Sequence, residues 1–125
     1  MKTLIKRFQN ERKILLYLDF HGHSRKKNSF VYGCNHKGTD FDNRRKNGLI
    51  SVYPLLLAKI NQIFAFKDCW FNIEKCKEST ARVVCFWELG ILNSFTLETT
   101  FYGPESPDCL IRKSDSDVHM DISDF

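Results

Sequence analysis

The chain has 125 residues, of which 42% are hydrophobic and 14% aromatic, with a formal net charge of +4 at neutral pH. That length excludes more than one ordinary domain, and the apolar content excludes a wholly disordered polypeptide. No apolar run approaches the roughly eighteen residues of a membrane span, and Met1 to Arg7 is too charged for a secretory signal.

In chain order, residues 2–12 carry Leu4, Ile5 and Phe8 at helical spacing among charged neighbours, which predicts a short amphipathic helix. Ile14 to Phe20 is almost continuously apolar and predicts a strand buried on both faces. It ends at His21-Gly22-His23-Ser24, where Gly22 is expected to bend the chain. Ser29 to Cys34 predicts a second strand, and Asn35 to Gly48 a polar loop. Leu49 to Phe66 is a helix candidate with Pro54 in its first turn, and Trp70 to Ile73 a further short strand. Ser79 or Thr80 can cap a helix over Ala81 to Leu89 that Gly90 stops. Ser94 to Phe101, β-branched and aromatic, predicts a strand with Glu98 in its interior. The division expected is a domain over 1–103 and a polar tail over 104–125. Alternating strands and helices predict an α/β sheet, whose sites lie at the carboxyl ends of strands.

The five cysteines are odd in number and form no Cys-x-x-Cys pair, which reads as reduced thiols of a cytosolic protein. Cys34 with His36, or Cys69 with Cys76, is a weak metal candidate because neither spacing matches a structural zinc motif. Residues 1–50 hold twelve Lys/Arg against four Asp/Glu, and residues 51–125 seven against eleven. A basic half can steer an acidic partner or be a solvated surface. The interleaving of aromatic and basic residues that marks single-stranded nucleic-acid binding is missing, so no nucleic-acid partner is expected.

Asp19, His21 and His23 recur at every second position, so an extended backbone points them to one face. Two imidazoles so placed can share a metal with a nearby carboxylate, or be hydrogen-bonded loop residues. Glu98, between Leu97 and Phe101, either faces a cleft, where it suits proton transfer, or alternates outward to solvent. Arg82, following a helix start, faces solvent or a site.

The run Asp19-Phe20-His21-Gly22-His23-Ser24-Arg25-Lys26-Lys27-Asn28 with Tyr32-Gly33-Cys34 resembles the third zinc-ligand block of the cytosolic carboxypeptidases. Lys75 to Val84 and Gly90 to Glu98 resemble two further blocks of that family in the family's order, so the resemblance spans residues 13–103. It implies a zinc metallocarboxypeptidase that removes C-terminal or branched glutamates from acidic protein tails such as polyglutamylated tubulin. By the same resemblance, His21 is a zinc ligand, Glu98 the general base and Arg82 the cation for an acidic side chain, whereas His23 matches a residue that is not a ligand. The implied fold is the three-layer α/β/α mixed sheet of the zinc carboxypeptidases, represented by its C-terminal half. The implied location is cytoplasmic, at microtubules or cilia.

The family's first two zinc ligands sit in an upstream His-x-x-Glu block, and none of the four histidines here is followed by Glu three residues on. One zinc ion with an incomplete site, in a fragment inactive alone, is therefore the expectation. Two alternatives stand beside it. One is a non-catalytic fragment or pseudoenzyme module that binds acidic tails through Arg25-Lys26-Lys27. The other is a small structural zinc protein using His21, His23 and cysteines.

Overall fold

A computed structural model describes residues 1–105 of the chain. Helix α1 (Lys2–Glu11) leads into strand β1 (Leu16–His23), β2 (Ser29–Tyr32) and the long helix α2 (Phe41–Ile60). Two 3-10 turns, at Phe66–Asp68 and Lys75–Lys77, precede helix α3 (Ala81–Trp87) and strand β3 (Asn93–Thr100). The strands form one mixed sheet in the order β1-β3-β2, with β1 parallel and β2 antiparallel to the central β3. The α/β assignment therefore holds at the level of a small mixed sheet with helices.

β3 lies at the centre of the sheet, and four of its eight residues are buried. Phe95 is fully buried and stacks on Tyr53 of α2, with ring centroids 5.5 Å apart. The adjacent Ser94 must point to the opposite face. There its hydroxyl donates to the Arg82 carbonyl at 2.7 Å, tying β3 to α3. The core gathers Val31, Cys34, Ile50, Phe64, Val83, Phe86 and Phe95. A second cluster of Cys85, Leu89 and Ile91 receives Ile5 of α1 and Tyr17 of β1. Gln9 donates to the Leu89 carbonyl at 2.7 Å, and Lys2 pairs with Glu88, so α1 is held by its polar side as well.

Several expectations are corrected. β1 is not buried on both faces: it lies at the sheet edge, with no partner on its other side among the described residues, and Phe20 is 71% exposed. Nor does Gly22 bend the chain. The register runs unbroken through His21↔Glu98, Gly22↔Thr99 and His23↔Thr100, because pairing with β3 continues to the end of both strands. The expected loop over 35–48 is half helix, since α2 begins at Phe41 behind the N-cap Asp40, whose carboxylate accepts from the Asn43 amide at 3.0 Å. Asp42 then pairs with Arg45 and Lys46 one turn on. Pro54 consequently sits inside α2 and not in its first turn, buried together with Ile50. Burial of this face outweighs the backbone hydrogen bond that a mid-helix proline removes.

Trp70 to Ile73 is extended without being a strand of the sheet. It meets β2 at the bridge Tyr32↔Trp70, and its Trp70 and Phe71 carbonyls accept from the Gly33 and Asn35 amides just beyond that strand. Thr80 is the residue before α3, but its hydroxyl donates backward to the Lys77 carbonyl and does not cap the helix. α3 ends at Trp87, and Gly90, with φ of +66°, turns the chain toward β3 in the left-handed region that glycine adopts without strain. Of the expected tail, Pro104 and Glu105 are described and the rest lies outside the described residues.

Candidate active site

Alternation along β1 brings Asp19, His21 and His23 to one face. In-register pairing places Thr96, Glu98 and Thr100 of β3 beside them, and Tyr32 and Phe30 of β2 beside Thr96 and Glu98. His21 and Glu98 are thus cross-strand partners near the carboxyl ends of two parallel strands. Of these residues, Asp19, His21, His23, Tyr32, Thr96 and Glu98 floor a cavity of about 350 Å³. Its walls come from Trp70, Asn72 and Glu74 of the extended segment, then Lys77, Thr80 and Arg82 at the entry to α3. The three residues singled out by sequence, His21, Arg82 and Glu98, line the same cavity.

Each is held differently. His21 is half exposed, and its Nε2 lies 3.1 Å from Asp19 Oδ2, a carboxylate–histidine pair of the kind that orients a metal-ligating imidazole. Glu98 is 9% exposed, which resolves its orientation in favour of the cleft. Its Oε2 lies 3.8 Å from His23 Nδ1. Arg82 is 6% exposed, its Nε donating to the Gly33 carbonyl at 3.2 Å, with the guanidinium carbon 5.6 Å from the Tyr32 ring centroid. Among the described residues no carboxylate pairs with this guanidinium, so its charge is available to an incoming anion.

The sequence did not single out Trp70, Asn72 or Glu74 as cavity residues, and it carried no signal for them. They enter only because the extended segment follows β2. Lys77 and Thr80 fall within a block already noted by resemblance. The weak pairing of Cys34 with His36 is not a site: the Cys34 thiol is buried at 0% exposure and donates to the Arg82 carbonyl, while the His36 ring packs on Phe86. Burial pushes the Cys34 thiol up to about 11, which keeps it protonated and a poor ligand at neutral pH.

A catalytic zinc takes three protein ligands and keeps one position open. Among the described residues no group of three His, Cys, Asp or Glu side chains is arranged to hold a metal ion. The described residues offer one imidazole oriented by a carboxylate, His21, and do not by themselves make up a complete zinc centre. Among the described residues the structural zinc reading finds no ligand set either.

No protein-family model matches the chain. Curated proteins do. Cytosolic carboxypeptidase 2 of Macaca fascicularis is 47% identical over 99% of this chain, and that of Homo sapiens 52% identical over 82%. Cytosolic carboxypeptidase 3 of Mus musculus is 48% identical over 82%. The chain spans 14%, 11% and 10% of the lengths of these three relatives. No described helix is long and apolar enough to cross a membrane.

Proposed function

We propose, for a chain that belongs to the cytosolic carboxypeptidase family, that it supplies one wall of a metallocarboxypeptidase site removing C-terminal or side-chain glutamates from acidic protein tails, tubulin among them. The observation that supports this most is the convergence of His21, Glu98 and Arg82 on one cavity at the carboxyl end of β1 and β3. In this reading the segment belongs to the three-layer α/β/α sheet of the zinc carboxypeptidases, in a cytoplasmic enzyme working at microtubules or cilia.

The cofactor in this reading is one zinc ion, with His21 as one ligand and the others from outside the described segment. Such an ion polarises a scissile carbonyl and acidifies bound water. In this reading the chain's own residues take the following roles. Asp19 orients the His21 ring. Glu98 accepts a proton from the attacking water and returns it to the leaving amine, a task for a carboxylate sheltered in a cleft. Arg82, fixed through Gly33 and Tyr32, binds the substrate's glutamate side chain by charge-assisted hydrogen bonds worth about 1.5–3 kcal/mol.

The test is hydrolysis by a full-length carboxypeptidase carrying this segment. Glutamate-ended peptides should be cleaved at least tenfold faster than glutamine-ended ones, about the loss expected for one charge-assisted contact, and a chelator should abolish both rates. Equal rates, or activity that survives chelation, sink the proposal. The alternative, a module that binds acidic tails without turnover, draws on Arg25 and Lys27, which have no ion-pair partner among the described residues, whereas Lys26 pairs with Asp68 at 3.1 Å.

A further inference from the structure

We propose that His23 is a positioning residue for Glu98, fixing the carboxylate in the cavity so that one oxygen is left to receive the proton. The proposal rests on the assignment of Glu98 as proton acceptor. Four observations carry it. His23 and Glu98 lie on the same sheet face, with His23 Nδ1 3.8 Å from Glu98 Oε2. Both side chains are largely buried, at 18% and 12% exposure. The His23 ring is locked edge-on against Phe30, centroids 5.0 Å apart, by a side chain that is itself fully buried. His23 Nε2 is buried with no hydrogen-bond partner among the described residues, and Nδ1 is the ring nitrogen turned toward Glu98.

A buried polar atom without a partner costs free energy, and such atoms persist mostly where another requirement fixes the group. Here that requirement is Glu98. A glutamate side chain has rotamer freedom that must be lost before proton transfer, and a fixed donor beside one oxygen removes it. Catalytic contacts that are long without substrate shorten in the complex, so Nδ1–H donating to Oε2 leaves Oε1 for the water. His21 and Arg82 face the same cavity, but neither forms an ion pair with Glu98 among the described residues.

The experiment uses a full-length carboxypeptidase carrying this segment, with His23→Phe, His23→Asn and His23→Gln. Asn places an amide donor near the Nδ1 position and Gln near Nε2. His23→Phe should lower kcat about tenfold to a hundredfold with KM within about twofold and the zinc content unchanged. His23→Asn should recover most of kcat, and His23→Gln less. Unchanged kcat in His23→Phe, no advantage of Asn over Gln, or loss of zinc in the Asn variant overturns the proposal. If His23→Phe does not fold, the Asn and Gln variants decide alone. The pairing is tested apart from catalysis in the 125-residue chain. There Glu98→Gln should shift the His23 ring 15N resonances, and an unmoved spectrum refutes the contact. Turnover that survives Glu98→Gln counts against the base assignment itself and is read separately.

Discussion

At Gly33 the backbone carbonyl and the missing Cβ serve different neighbours. The carbonyl accepts from Arg82 Nε at 3.2 Å, and a Cβ would stand 2.6 Å from Phe71 Cδ1 and 3.2 Å from Phe95 Cδ1. Phe95 is fully buried and has nowhere to go, so Gly33→Ala should cost about 1–3 kcal/mol in a urea titration, as overpacking does. Gly22 looks worse on distance, because an added Cβ would overlap the tip of the Phe101 ring. Yet Phe101 is 76% exposed and can swing outward. Gly22→Ala is therefore expected to be the milder change, and the reverse order would contradict this packing account. The cysteines divide in the same way. Cys76 is exposed while Cys34 and Cys85 are buried, so a thiol reagent should label Cys76 in the native chain and reach the other two only on unfolding.

Among the elements, α2 shows what pattern reading misses and why. Periodicity located its second half, but the start was hidden because Gly48 and the charged run before it resemble a loop. The determining feature is local: Asp40 capping the Asn43 amide, followed by the Asp42 pairs. Those hydrogen bonds and cations hold both carboxyls below their ordinary value. A lowered folded pKa gives stability above the unfolded value that is lost as pH falls. Helix content by circular dichroism should thus decline on acidification below the usual carboxylate range, and Asp40→Ala should flatten that decline. β3 was legible almost to the residue, since its alternation of Phe95, Leu97 and β-branched neighbours has one meaning. The outward exposure of β1 was not legible, because an apolar run states that a strand can be buried without stating which partner buries it. Likewise, the joint placement of His21, Arg82 and Glu98 depends on β3 lying beside β1, a pairing between segments some seventy-seven positions apart in the chain.

At the scale of the whole molecule, burial favours the protonated form of three thiols and one tyrosine. Burial raises Cys34 from 9.0 to about 11 and also raises Cys69, Cys85 and Tyr17, with Asp19 adding to the last two. A raised folded pKa means that the unfolded chain loses its protons first, so stability is intact below pH 9.0 and falls as pH climbs through about 11. The urea midpoint should drop across that window, and Cys34→Ala should lessen the slope; a flat profile would contradict it. The same scale carries the central claim. One oriented imidazole, one sheltered carboxylate and one unpaired guanidinium share a cavity, without a complete metal ligand set among the described residues. The 125-residue chain alone should accordingly show no chelator-sensitive peptidase activity. The most direct measurement is Glu98→Gln in a full-length carboxypeptidase carrying this segment, with turnover of a glutamate-ended peptide and its binding measured side by side. The account predicts that turnover stops, by about a hundredfold or more, while binding stays within a few fold. Turnover that persists, or binding lost together with it, would contradict Glu98 as the proton acceptor of this site.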